Sequence, residues 1–460
     1  MIDTGFIDSE KIFKQISKEN IPEKSEINDI LSKARELKGI NEDEVSKLLQ
    51  VEDPELCDAI FETADFVKKN IYGKRLVLFA PLYISNLCNN ECLYCGFRKS
   101  NTGIKRKTLS TDEIKRETEI LINDGHKRLL LVSGEGLGES ALDYTLRAIE
   151  SIYSVKNDKG DIRRINVNIA PLDVAGFKRL KEAKIGTYQL FQETYHYETY
   201  KEMHPSGVKS DYLGHLFAMD KAMEGGIDDV GIGTLFGLYD PKFEVMALLQ
   251  HNKYLEKKFG VGCHTISVPR IEPADNSPTS VSPPYKIDDK TFMKIIAVLR
   301  IAVPYTGIIL STRENADFRR EAFRLGVSQI SAGSKTDPGG YSNKHSATQF
   351  SLGDHRSLAE VIEDMLNYGY IPSFCTGCYR LNRTGADFMD MAKPGLIKHY
   401  CLQNGLTSFL EYLTNFADER LQKKGQKLID IIASEVPVKN RELLNKNLAK
   451  VKAGQKDIYI

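Results

Sequence analysis

Short apolar runs alternate along most of the chain with longer stretches of helical periodicity. Eight runs are strand-length and apolar, so each predicts a buried β-strand: Val77 to Ser85, Arg128 to Ser133, Ile165 to Ile169, Thr187 to Leu190, Asp229 to Gly233, His264 to Val268, Gly307 to Ser311 and Gln329 to Ala332. Between them apolar residues recur at helical spacing. "STDEIKRETEILINDG" opens with a Ser/Thr-x-x-Glu cap, "DDKTFMKIIAVLRIAV" carries an apolar stripe, and "SLAEVIEDMLNYGY" follows the eighth strand. Strand-then-helix units in series predict an α/β fold, a closed (β/α)8 TIM barrel, with an open doubly wound sheet as the alternative. The barrel is expected over residues 71–370. An N-terminal helical extension occupies 1–70 before it. After it, residues 371–460 break the alternation and end in "PVKNRELLNKNLAKVKAG", which predicts a C-terminal, mainly helical domain.

Composition narrows the classes of function. The 460 residues include 63 Lys+Arg and 63 Asp+Glu, a formal charge of zero, so no global field gathers nucleic acid or an anionic membrane. No apolar run reaches the length of about 18 residues that a membrane helix needs. The start, "MIDTGFIDSEKIFKQ", has neither a basic nor an apolar leader region, and the expected location is cytoplasmic.

Eight cysteines are too sparse for a disulfide scaffold. Six fall in two groups: Cys88, Cys92 and Cys95 in "CNNECLYC", and Cys375, Cys378 and Cys401 in "FCTGCYR" and "HYCLQNG". Cys57 sits on an amphipathic helical pattern and reads as a small buried hydrophobe. The first group follows the first strand, where a barrel places its chemistry. Structural zinc takes four ligands, and no fourth is near in sequence. A [4Fe-4S] cube held by three thiolates leaves one iron open to another ligand.

Cys88-x3-Cys92-x2-Cys95, with Tyr94 before the last thiol, resembles the signature of radical S-adenosylmethionine (SAM) enzymes. The resemblance implies that the open iron binds the methionine moiety of SAM and that an electron from the cluster cleaves the cofactor to a 5'-deoxyadenosyl radical. Ser133-Gly134-Glu135, ending the second strand, is similar to the family's Gly-Gly-Glu motif for the SAM amino group. "FQETYHYETYKEMHPSG" and "GIDDVGIGTLFGLYD" resemble the stretches after strands four and five in the branch containing biotin synthase, the thiazole-forming tyrosine lyase and the hydrogenase maturases. Relatives can carry an arginine for the SAM carboxylate where this chain has His215, so no carboxylate clamp is assigned.

Cys375-x2-Cys378-x22-Cys401 resembles the tail of the HydG-type tyrosine lyases that mature [FeFe]-hydrogenase. That resemblance implies cleavage of the Cα-Cβ bond of L-tyrosine to p-cresol and dehydroglycine, then formation of carbon monoxide and cyanide at a second [4Fe-4S]-type cluster bearing an extra iron and a bound L-cysteine. It also implies a low-potential electron donor of ferredoxin or flavodoxin type and transient contact with other hydrogenase maturation proteins. His264, taken to follow strand six and face the barrel mouth, resembles the ligand of the extra iron. Ser311, Thr312 and Arg313 follow strand seven, and Arg313 presents a planar fork suited to the substrate carboxylate. Two alternatives stand beside this reading: a dehydroglycine-forming lyase for thiazole synthesis, with zinc on the tail cysteines and His399, and a carrier of two iron-sulfur centres without catalysis.

Overall fold

Strand β1 (Arg75–Ser85) is buried along nearly its whole length, and its sequence, RLVLFAPLYIS, is therefore apolar throughout rather than alternating. The computed structural model describes residues 3–17, 22–343 and 348–460. In it β1 is followed by β2 (Arg128–Ser133), β3 (Arg164–Asn168), β4 (Tyr188–Gln189), β5 (Val230–Gly233), β6 (Thr265–Ser267), β7 (Gly307–Leu310) and β8 (Gln329–Ser331). Each pairs parallel with the next, and β8 returns to β1 with Val77 opposite Gln329. The barrel is closed, which excludes the open sheet. β8 pairs with β1 as far as Phe79 and β2 pairs with it from Ala80 onward, so Pro81 lies where β1 is bonded on one side.

The helices start and stop where the sequence directs. Ser110 and Glu113 form the expected capping box, and Gly125, at φ 104°, ends the same helix, Thr111–Asp124. Ahead of the barrel lie helices Ser9–Gln15, Lys24–Ala34, Glu42–Gln50 and Pro54–Ile71. The last packs on the outer helices Asp289–Ala302 and Ala316–Leu325. It buries Ile60, Val67 and Ile71 on one face, a contribution of about 1.5 to 3 kcal/mol each.

The tail begins with a strand that the sequence reading did not contain. β9 (Ile371–Ser373) pairs parallel with the amino end of β1, Arg75 opposite Ile371 and Val77 opposite Ser373. Three residues with a proline among them carry no periodicity, and Pro372 is tolerated because β9 is an edge strand. Helices Gly385–Ala392, Ile397–Phe416, Glu419–Glu435 and Val438–Lys452 follow. Arg163, just before β3, donates to Glu411 on the second of these at 3.0 Å, a buried ion pair joining tail to barrel. Among the described residues no helix is long and apolar enough to cross a membrane.

Candidate active site

The loop after β1 carries the first three thiols beside a cavity of about 170 Å³ at the carboxyl ends of the strands. Tyr94, Cys95, Glu135, Ser311 and Arg313 all line it. Ser133 and Gly134 do not, and they serve the loop instead. Gly134 N–H donates to the Ser85 carbonyl at 2.9 Å. A Cβ at Gly134 would lie 2.4 Å from the Leu87 oxygen, and one at Gly136 would lie 2.7 Å from the Cys88 nitrogen, so only glycine lets the two backbones pass.

Polar side chains fix the loop's shape. Arg106 donates to the carbonyls of Asn86 and Phe97, each at 2.8 Å, and to that of Arg98 at 2.6 Å. Asn90 donates to Glu135 at 2.7 Å. His204 Nδ1 lies 2.7 Å from the Tyr200 carbonyl, which only accepts, so Nδ1–H donates there and Nε2 of the neutral ring accepts a hydrogen bond from the Tyr94 hydroxyl, 2.7 Å away. Cys95 Sγ accepts from Phe97 N–H at 3.4 Å and from the Gln349 amide at 3.7 Å. Burial pushes all three thiols up, Cys95 to about 11. Such thiols ionise only against a positive partner, which iron supplies.

Two cations face this cavity. Lys209 pairs with Glu193 at 2.7 Å. Arg313 lies over the Phe350 ring, 3.3 Å from its centroid, and forms no ion pair among the described residues. His215 is not in the wall: it is buried behind it, with Nε2 2.8 Å from the Phe191 carbonyl.

A second cavity, about 60 Å³, lies at the opposite end of the barrel. Cys375, Cys378 and Cys401 line it with Arg75, Arg128 and His264. This corrects the placement of His264: β6 begins at Thr265, His264 N–H donates to the Val230 carbonyl at 2.8 Å, and the residue opens the strand rather than following it. Its Nδ1 is buried without a hydrogen-bond partner, 3.5 Å from Asp229, whose Oδ1 accepts from Gly385 N–H at 3.0 Å. Burial lowers the imidazole's pKa, favouring the neutral form that binds metals. Arg128 donates to the Cys375 carbonyl at 2.8 Å, and the Nε atoms of Arg75 and Arg128 are unpartnered. Buried guanidinium groups around three thiols suit a thiolate-bound cluster of net negative charge. His399 is exposed and outside the wall, so it does not complete a zinc set with these cysteines. Among the described residues no three His, Cys, Asp or Glu side chains converge on a single ion. A cube binds each thiolate at a different iron and needs no such convergence.

The other two cysteines lie apart from both cavities. Cys57 Sγ meets the Val51 carbonyl at 3.8 Å, and Cys263 Sγ donates to Asn252 at 3.0 Å.

Comparison with known proteins fits this arrangement. The Radical SAM superfamily pattern matches residues 82–251, and the Biotin and Thiamin Synthesis associated domain matches 267–371. A 2-iminoacetate synthase of Salmonella typhimurium is 32% identical over 335 residues, 72% of this chain and 86% of that protein. The chain belongs to the radical SAM tyrosine lyase family. A crystal structure of HydG, a maturase of the [FeFe]-hydrogenase, superposes on this lyase with a TM-score of 0.96 at 48% identity, covering 99% of this chain and 100% of the other. HydG from Carboxydothermus hydrogenoformans gives 0.85 at 45% identity, over 96% and 97% of the two chains. Membership implies SAM, a [4Fe-4S] cluster, a small-molecule substrate and a source of electrons.

Polar side chains stand in both cavity walls of this radical SAM lyase, beside apolar ones such as Phe79 and Leu130 in the first and Val77 in the second. Gln189 and Ser267 line the first, and Gln329 and Gly307 line the second. Thr265 is in neither wall; its hydroxyl is unpartnered, and its side chain lies against both Gly231 and Gly307. A Cβ at Gly231 would meet Thr265 Oγ1 at 2.5 Å and the Gln189 side chain at 2.9 Å, and one at Gly307 would meet Gln329 at 2.8 Å. The sequence reading missed this file, as it missed Lys209, Arg75 and Arg128. Strand starts bearing Arg, and a Gly-x-Gly inside β5, were the available signals.

Proposed function

We propose that this lyase cleaves the Cα-Cβ bond of L-tyrosine to p-cresol and dehydroglycine at the first cavity and converts the two-carbon fragment to carbon monoxide and cyanide at the second. One observation carries the reading: a single barrel holds three thiols beside a cavity at each end. β1 has 11 residues; at about 3.3 Å per residue and a tilt of roughly 36°, the two ends stand on the order of 25 Å apart. The thiazole-forming alternative has no use for the second set.

Cys88, Cys92 and Cys95 would hold the SAM-binding cluster, and Cys375, Cys378 and Cys401 the other, with His264 as the ligand of an additional iron. When bound, the first cluster with SAM supplies a hydrogen-abstracting radical. The chain's residues position and isolate. Glu135, held by Asn90, meets the SAM amino group, and Lys209 takes the place of the absent arginine at the SAM carboxylate. Arg313 receives the tyrosine carboxylate with Ser311 and Thr312 beside it. Tyr94, Leu235, Ile271 and Phe350 form apolar walls that keep water from the reacting bonds. The fragment leaves through the file of Gln189, Thr265 and Gln329, where Gly231 and Gly307 give it room. Electrons come from a low-potential ferredoxin or flavodoxin type donor, and the product passes to other hydrogenase maturation proteins.

Anaerobic incubation of the reconstituted protein with SAM, reductant and tyrosine tests the whole assignment. The expected products are p-cresol, cyanide and carbon monoxide. Dehydroglycine without carbon monoxide would return the assignment to the thiazole branch, and no p-cresol at all would leave a cluster carrier.

A further inference from the structure

A cleft of about 920 Å³ opens beside the amino end of the barrel. Its walls are the approaches to β3, β4 and β5, the end of helix Ala141–Ser154, and the tail segment from Tyr379 to Thr384. Tyr379 and Asp229 also line the second thiol cavity. The Tyr379 ring is therefore a partition between the cleft and the neighbouring Cys378. Its hydroxyl is held only at the limit of hydrogen bonding, 3.4 Å from Thr187 Oγ1.

Arg164 stands behind that ring. The residue opens β3, is nine-tenths buried, and places its guanidinium carbon 3.2 Å from the Tyr379 ring centroid. Its Nε has no hydrogen-bond partner, and it forms no ion pair among the described residues. Of the other cations of the cleft, Arg163 pairs with Glu411 at 3.0 Å, Arg380 with Asp457 at 3.1 Å and Lys181 with Asp228, while Lys156 and Lys184 stand on the wall away from the Tyr379 ring contact. Unpartnered Nε atoms recur at Arg75, Arg128 and Arg319, but Arg128 donates to the Cys375 carbonyl and Arg319 pairs with Asp354, whereas no donor of Arg164 is taken up by a carbonyl or carboxylate among the described residues. A buried guanidinium with an unused donor carries a desolvation cost that a ligand carboxylate would offset, because the planar fork fits it in a bidentate pair. The chamber behind Tyr379, about 60 Å³, limits that ligand to a few heavy atoms.

We propose that the cleft is an entry port to the second thiol cavity, recognising a small monocarboxylate at Arg164 and admitting it when the Tyr379 ring turns aside. The inference rests on the reading of Cys375, Cys378 and Cys401 as a cluster site. It adds the class of molecule that reaches that cluster from solvent, independently of the route through the barrel.

The test uses the full chain carrying Cys88→Ala, Cys92→Ala and Cys95→Ala, reconstituted anaerobically so that only the tail cluster remains. Mercaptoacetate, and 2-mercaptoethanol as its neutral counterpart, are titrated against the electron spin resonance signal of that cluster. Mercaptoacetate is expected to perturb the signal at the lower concentration. Arg164→Gln should raise its midpoint roughly ten-fold and leave that of 2-mercaptoethanol unchanged, as loss of one charge-assisted contact predicts, while Arg164→Lys restores part of the difference. Ser154→Trp, at the exposed rim of the cleft, should slow the response to both thiols. Equal midpoints for the two thiols in the parent, an Arg164→Gln variant that titrates like it, or a Ser154→Trp variant with unchanged rates would overturn the entry port alone. Absence of any cluster signal in the parent would overturn the cluster assignment and the port with it.

Discussion

The Arg313 guanidinium lies flat over the Phe350 ring, 3.3 Å from its centroid, facing the first cavity without a carboxylate partner among the described residues. The ring fixes the plane of the fork, and burial lowers the guanidinium's pKa from its ordinary value, so a substrate carboxylate bound there would meet a preorganised and poorly hydrated cation. A charge-assisted pair there contributes about 1.5 to 3 kcal/mol. Arg313→Ala should therefore raise the KM for tyrosine roughly ten- to a hundred-fold while SAM cleavage uncoupled from tyrosine persists. An unchanged KM would place the substrate clamp elsewhere.

Cys92 is the most deeply buried thiol of its group, 6% exposed, and no other cysteine lines the first cavity besides Cys95. Cys92→Ala should abolish 5'-deoxyadenosine formation and leave the signal of the tail cluster intact. Wild-type yield of 5'-deoxyadenosine would contradict the role given to the triplet.

The two ends of the barrel should separate under mutation. Cys378→Ala with Cys401→Ala should leave p-cresol production in place and remove carbon monoxide, with cyanide reduced rather than lost. His264→Ala should produce a milder form of the same split, because the three thiolates remain. Carbon monoxide at the wild-type rate in the double variant would make the tail site purely structural.

Gly231 tests the connection between the ends. A valine there would drive its side chain into Thr265 and Gln189, filling the polar file. The expected outcome is p-cresol at near-normal rates and a several-fold drop in carbon monoxide, with dehydroglycine or its hydrolysis product, glyoxylate, accumulating in solution. Carbon monoxide and p-cresol falling in proportion would mean that the fragment does not use this path.

The attachment of the tail to the barrel carries a pH dependence. Burial would raise the Glu411 pKa, but the hydrogen bonds and charge of Arg163 outweigh it and hold the carboxyl below its ordinary value. A carboxylate depressed in the folded state stabilises it above the unfolded pKa, about 4.3, and that contribution is lost as pH falls through the folded value. Glu411→Gln leaves Arg163 buried beside a neutral amide and should cost about 3 to 5 kcal/mol at pH 7. Thermal melts between pH 7 and pH 4 check this: the variant should start lower and lose less on acidification than the wild type.

Much of the barrel was legible because parallel strands buried on both faces leave uninterrupted apolar runs, and all eight appear where those runs stand. The triplets were legible because clustered cysteines are rare outside metal and redox sites. His264 was misplaced against its own pattern: "HTISV" puts it first in its strand, and in a parallel barrel the first residue of a strand stands at the amino end, away from the mouth. Lys209, Arg75 and Arg128 come from separate strands and loops, and only closure of the barrel brings each to its cavity wall. β9 was invisible for the opposite reason, being held by its pairing with β1 rather than by any pattern of its own.

That pairing has a consequence for how the sequence can change. The loop of the first triplet leaves one end of β1, and Cys375 follows β9, which is bonded to the other end. A single-residue insertion within β1 would invert every side chain beyond it and turn Tyr83 out of the cavity it lines. A two-residue insertion would keep the facing but move one loop about 6.6 Å from the other. β1 should therefore tolerate substitution far better than any change of length, and descendants of this chain should vary in its letters while keeping their number.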